Sequence, residues 1–264
     1  MITDPLKSVI DFAFYRDVPK KSLGATFGYI AYLGLIYSVV VVIALFVHLR
    51  PKIQEAVDWA STEVPEMTLA DGKLSSSAQG LTVVRHPKAE ELTVIIDTDR
   101  TTAVTPAEMH ERKALAYLTQ NAIYVVRGGS AGARMEAYDL SKAQNEKPVS
   151  INAEFYQSLG SVLTTILYPA ALLTSWLIFL LWKHAAALIY SLVALLINAG
   201  VGGRLEFSEL YKLAVYAQTP VIVLQMVTLL LLKPIPYFRV LAFIVVGVYL
   251  WQAIRQHVPP PDAV

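Results

Sequence analysis

Apolar residues fall into long uninterrupted runs, and polar residues collect between them. Residues 24–48 (GATFGYIAYLGLIYSVVVVIALFVH) contain no Asp, Glu, Lys or Arg. About 20 helical residues cross a hydrocarbon core of about 30 Å, so the pattern predicts a first transmembrane helix over 23–49. From Leu159 the apolar character returns, and 160–203 is broken only by Lys183-His184. That stretch is too long for one crossing. The spacing predicts two spans, 160–182 and 185–203, joined by a tight turn at Trp182-Lys183-His184. RLEFSELYK (204–212) reads as a polar loop, followed by spans over 213–232 and 240–254 with KPIPYFR (233–239) as the turn between them. The expected total is five spans. Pro169 and Pro220 are expected to bend theirs.

Between the first span and the rest, residues 50–157 read as a folded water-soluble domain. Pro51 suits the first turn of a helix, Ile53, Val57 and Ala60 recur at helical spacing, and Pro65 ends it. Met67 and Leu69 alternate with polar residues. Asp71-Gly72 is a strong hairpin turn, and LTVV (81–84) and LTVII (92–96) are β-branched runs. A short helix is expected after Pro106. ALAYLTQNAIYVV (114–126) predicts a hairpin turning near Gln120-Asn121, GGSAGA (128–133) a loop, and RMEAYDL (134–140) a last strand. The fold class is an α-helical membrane bundle of five transmembrane helices with an inserted small α+β domain whose sheet meanders.

Residues 1–22 form an amphipathic lead-in in which Phe12, Phe14 and Tyr15 accompany Arg16, Lys20 and Lys21, a mixture suited to a headgroup anchor. The run at 23–49 is too long for a signal-peptide core, so it reads as a retained span. Basic residues in the flanks orient the chain in a bacterial cytoplasmic membrane. The N-terminus is expected in the cytoplasm, with residues 50–157 and the C-terminus outside. The tail, 256–264, is proline-rich and expected to be disordered.

Composition sharpens this picture. Charged residues make up 16% of the chain and hydrophobic ones 55%. Soluble domains carry roughly 25% charged residues, and the charges here concentrate in 50–157. A net charge of +1 without a basic stripe excludes a nucleic-acid partner. The absence of cysteine excludes disulfides, thiolate nucleophiles and Cys-ligated metals.

Candidate chemistry is sparse. VIIDTDRTT (94–102) resembles the first motif of the haloacid dehalogenase phosphatases, with Asp97, Asp99 and Thr101 at the matching positions. Their remaining carboxylates, distant Lys and doubly wound sheet have no counterpart here, so strand-end aspartates capping a turn are the better account. RGGSAGAR (127–134) lacks the Lys-Ser/Thr of a P-loop. His86, His110 and Glu111 lack metal-site spacing. In the proposed spans, which carry no Asp, Glu, Lys or Arg, Asn198, Gln218, Thr219 and Gln225 are expected to bond helix to helix. No cofactor, metal or catalytic residue is assigned.

Several stretches taken together, FYRDVPKKSLGATFGYI, EAVDWASTEVPEMTLADGKLS, VIIDTD, ALAYLTQNAIYVV and FSELYKLAVYAQTP, resemble a group of uncharacterised bacterial membrane proteins. The group includes an accessory protein encoded among maltodextrin-utilisation genes. The last stretch also resembles the Yip-type membrane fold at Phe207, Leu210, Tyr216, Thr219 and Pro220. The resemblance implies architecture and no chemistry. The function expected is a non-enzymatic accessory protein whose partners are the bilayer and a membrane protein or a second copy. Alternatives are a channel or transporter for a neutral or lipidic substrate and, third, a phosphatase at Asp97 and Asp99.

Overall fold

The computed structural model describes residues 3–127, 134–142 and 147–258, without the side chains of 89–92. The expected loop at 128–133, with most of the RGGSAGAR stretch, and residues 259–264 of the tail lie outside the described residues. The chain divides into two compact units, one of Arg50–Thr165 and one of Met1–Leu49 with Ile166–Val264.

The first unit opens with a helix over Arg50–Glu63, where the Pro51 and Pro65 punctuation predicts one. Strands β1 (Met67–Ala70) and β2 (Lys73–Ser76) form the expected hairpin. Asp71 and Gly72 both have positive φ, 51° and 72°, as a two-residue hairpin turn requires. A Cβ on Gly72 would sit 2.8 Å from the Ser141 backbone, so glycine is needed there for space as well. β8 (Val149–Ile151) pairs with the other side of β1. It is a strand beyond the one expected to be last.

The second sheet runs β3-β4-β5-β6-β7, over Thr82–His86, Ala89–Asp97, Ala116–Thr119, Ala122–Arg127 and Arg134–Asp139. The expected hairpin at Gln120-Asn121 is present as β5 and β6. The meander is not. β4 and β5 pair in parallel, and the connection between them carries a short helix at Pro106–Glu111. Parallel neighbours need such a crossover because the chain must return to the starting end. Successive side chains of β4 point to opposite faces. Ile95 therefore enters a cluster with Met109 and Tyr117, and Ile96 one with Met67, Leu74 and Leu140. Both faces are covered, so an unbroken apolar run is what this strand needs.

In the other unit a short helix α1 (Asp4–Ile10) and a 3-10 turn at Phe12–Arg16 precede α2 (Leu23–His48), whose N-cap Ser22 accepts from the Ala25 amide. The lead-in is more than an anchor, because Tyr15 and Val18 are fully buried in the bundle core. Beyond the first unit's helices, labelled α3 (Arg50–Glu63) and α4 (Pro106–Glu111), the chain continues in α5 (Ala153–Gly200), α6 (Phe207–Ala217), α7 (Thr219–Leu231) and α8 (Phe238–Arg255). Among the described residues four helical stretches are long and apolar enough to cross a membrane: Leu23–Glu63, Ala153–Gly200, Phe207–Leu231 and Phe238–Arg255.

Three expectations change. The turn at Trp182-Lys183-His184 is absent, and α5 runs through it for 48 residues, with Pro169 inside. The segment offers no glycine or proline near 183, and the following Ala-Ala-Ala is the strongest helix former. The polar stretch at 204–212 is mostly helix, and at its start Glu209 Oε2 accepts from the Glu206 amide at 2.9 Å. The span expected over 213–232 is instead interrupted at Gln218, ahead of Pro220 in the first turn of α7. Finally, the end of α8 meets the N-terminal lead-in. Tyr249 Oη donates to Val9 O at 2.7 Å, Gln256 Nε2 to Phe12 O at 2.7 Å, and a His257 ring nitrogen lies 3.2 Å from Tyr15 O. These contacts bring the lead-in and the end of α8 together at one end of the bundle.

Candidate functional site

Asp97 closes β4, and its Oδ2 accepts a hydrogen bond from Tyr117 Oη at 3.3 Å. The adjoining turn is closed by Arg100 N donating to Asp97 O at 3.2 Å. Asp99 is exposed on that turn. Arg100 returns under it, with Nη1 3.0 Å from Glu108 Oε1 and Nη2 3.2 Å from Oε2. Nε also donates to Thr102 Oγ1 at 3.0 Å. Glu108 accepts from the Thr105 amide at 2.9 Å in the capping box of α4. The guanidinium, and then the Thr105 amide, hold the Glu108 carboxyl down at about 2. The Glu108 carboxylate, and then the Tyr117 hydroxyl, raise the Arg100 pKa in turn. The aspartates thus sit on a braced turn whose polar atoms largely bind one another.

His86 and His110 are not brought together with Glu111. His86 is buried against Trp59, with ring centroids 5.1 Å apart, and its Nδ1 accepts from the Lys88 amide. His110 lies exposed in the last turn of α4. Among the described residues no group of three or more His, Asp or Glu is arranged to hold a metal. Glu111 instead lines a cleft of about 480 Å³ with Arg85, Arg112 and Lys113.

The break between α6 and α7 gathers the densest polar network of the bundle. Thr219 Oγ1 donates to Tyr216 O at 2.7 Å, so Tyr29 Oη, 2.7 Å away, donates to Thr219. Tyr29 Oη also lies 3.1 Å from Ser8 Oγ. Tyr15 Oη donates to Ser8 O at 2.8 Å and, at 3.3 Å, to Tyr216 O. The rings of Tyr29 and Tyr216 stack at 4.0 Å. Lys21 Nζ stands 4.7 Å from the ring centroids of both Phe14 and Tyr216 and 2.5 Å from Asp4 Oδ2. A helix interrupted ahead of a proline exposes backbone carbonyls; that of Tyr216 accepts from Tyr15 of the lead-in and from Thr219, and Tyr29 of α2 holds the Thr219 hydroxyl.

Of the residues singled out from sequence, the break brings together Tyr216, Thr219 and Pro220. Phe207 is exposed at the start of α6, away from the network. Asn198 closes the end of α5, where its Nδ2 donates to Leu205 O at 3.2 Å.

Lys183 was read from sequence as a turn residue, yet it is 6% exposed. Its Nζ donates to Gln225 Oε1 at 2.9 Å, and Gln218 Nε2 donates to its carbonyl at 3.3 Å. It lines a cleft of about 440 Å³ between α5, α7 and α8, with Trp182, Gln218, Gln225, Arg239 and Phe243. The available signal was the one Lys or Arg in the 44-residue, mostly apolar stretch 160–203, with no glycine or proline beside it. Tyr15 had no such signal, since its partner Tyr216 lies 201 positions along the chain.

A protein-family model described as "Protein of unknown function (DUF1189)" matches residues 5–254. No curated protein and no solved structure matches the chain.

Proposed function

The chain belongs to the DUF1189 family, and because that family is defined by shared sequence without an assigned activity, we propose from the geometry that it is a non-enzymatic accessory protein of the bacterial cytoplasmic membrane. Its bundle associates laterally with a membrane protein or with a second copy, and residues 50–165 form a binding module outside the cell membrane.

The observation that carries this reading is the apolar surface of α5. Within the bundle unit, large hydrophobic side chains are exposed along it from Ile166 to Leu196. At 1.5 Å per residue that run is roughly 45 Å long, against a hydrocarbon core of about 30 Å. Even a tilt of about 40°, the upper end of the usual range, leaves roughly 34 Å of apolar height. Lipid tails cover only part of it, and a protein surface is the natural cover for the remainder.

Four crossings follow from the four helical stretches. The basic lead-in, with Lys7, Arg16, Lys20 and Lys21, then favours the cytoplasm for both chain ends and the opposite side for 50–165. The likeness of Phe207–Pro220 to the Yip-type fold, and of the chain to a group with a maltodextrin-linked accessory member, agrees with a role without chemistry. The commitment of Asp97, Arg100 and Glu108 to bracing a turn argues in the same direction. The test is purification from native membranes at native expression in mild detergent. A stoichiometric partner or a homo-oligomer is expected, and a bare monomer overturns the reading.

A further inference from the structure

Lys183 is the least ordinary residue of the bundle. Its ammonium has three donors and one hydrogen-bond acceptor, the neutral Gln225 Oε1. The Phe179 ring centroid lies 5.7 Å away. Among the described residues no carboxylate forms an ion pair with it. A buried ammonium with one neutral partner is costly, and in a membrane bundle such a group marks a site for a compensating charge.

The surroundings say which kind. Arg239, exposed in the first turn of α8, lines the same cleft, so two cations converge on one volume without an acidic neighbour among the lining residues. Gln218 and Gln225 add amide groups. The remaining wall is apolar, with Val221, Val246 and Phe243. At the rim, Trp182 and Ile189 are largely exposed on the outer surface of the bundle. A free inorganic anion would be served by the polar groups and would leave the apolar wall wet. An acyl amphiphile uses both. The cleft, about 440 Å³, falls in the range of ligand pockets and suits a headgroup with the first part of its chains.

We propose that the cleft between α5, α7 and α8 binds an acidic phospholipid of the bilayer. Its phosphate sits between Lys183 and Arg239, and its acyl chains leave past Trp182 and Ile189. The headgroup phosphate supplies the acceptors that the Lys183 ammonium lacks. Charge-assisted bonds to phosphate are about twice as strong as neutral ones. The proposal rests on the membrane reading of the bundle and not on the accessory role.

The full-length protein, in maltoside micelles doped with equal phosphatidylglycerol and phosphatidylcholine, tests this by native mass spectrometry. Wild type is expected to retain one phosphatidylglycerol with a preference of about tenfold or more over phosphatidylcholine. Lys183→Met is expected to abolish the preference and Arg239→Gln to weaken it. The exposed Arg239 position also serves if Lys183→Met does not fold. Millimolar inorganic phosphate is expected to leave the lipid in place. Equal retention of the two lipids by wild type overturns the proposal, and so does an undiminished preference in the variants. Displacement by inorganic phosphate assigns the cleft to a free anion and overturns the lipid. A protein that stays soluble without detergent overturns the membrane reading as well, which separates the two failures.

Discussion

The acidity of Glu108 is set by what its carboxylate touches. The Arg100 guanidinium and the Thr105 amide lower its pKa from the ordinary 4.5 to about 2 in the folded chain. A depressed carboxyl pKa contributes stability above the unfolded value, and that contribution is lost as pH falls through the folded value. Protection of the β4 and β5 amides, taken relative to the intrinsic exchange rate at each pH, is therefore expected to fall between pH 4.5 and about 2. Glu108→Gln should flatten the profile across that window. Tyr29 offers a second case at this scale. Its hydroxyl donates to Thr219 and lies beside Ser8, while Thr219 keeps its own bond to Tyr216 O. Tyr29→Phe should cost about 1 kcal/mol, read as a fall in melting temperature of roughly 2–4 °C for a chain of this size. An unchanged melting temperature would mean that water or a neighbour replaces the hydroxyl.

At the scale of elements, the continuity of α5 through Lys183 is the feature most open to direct challenge. Ala185 is exposed, so a substitution there acts on the backbone alone. Proline inside a helix removes one hydrogen bond and clashes with the preceding turn, at about 3 kcal/mol. Ala185→Pro is therefore expected to lower the melting temperature sharply, as read by thermal unfolding in detergent. A tight turn at 182–184 would tolerate it. The helices approach closely where α2 offers Gly34. A Cβ there would lie 2.9 Å from Phe179 Cδ1, and Trp176 Nε1 reaches the Ala31 carbonyl at 3.0 Å. Several elements were legible because their signals are local: the Asp71-Gly72 hairpin, the β5–β6 hairpin, the capped helix after Pro106 and α8. The parallel partnership of β4 and β5 was not. Nothing within β4 records whether its neighbour returns directly or after a crossover. β8 escaped for a related reason, since three residues paired to the far side of β1 carry too little periodicity to stand out.

For the whole molecule, the decisive contacts join residues more than two hundred positions apart, as Tyr249 does with Val9 and His257 with Tyr15. They place the lead-in and the end of α8 together at one end of the bundle. Reporter fusions at the N-terminus and after Val258 are accordingly expected to read the same side of the membrane, and a fusion within 50–165 the opposite one. A C-terminal fusion reading the same side as 50–165 would restore an odd number of crossings. The polar network at the α6–α7 break shows the same dependence on distance. Tyr216, Thr219 and Pro220 stood out as a sequence pattern, whereas their partners Ser8, Tyr15 and Tyr29 became visible only once the lead-in had packed into the core.

The sequence by itself determined that long charge-poor helices flank one charge-bearing segment, because desolvating a charge costs more than local preference can offset. It also determined most turns and helix starts, where glycine, proline and capping residues act on their own neighbours. Tertiary structure alone decided whether Lys183 breaks a helix or lies inside one. A cation ends an apolar run only when no partner can receive it, and here Gln225, more than forty residues away, stands within hydrogen-bond reach. Charge pattern measures the cost of burial, while the partner that offsets it is chosen by packing.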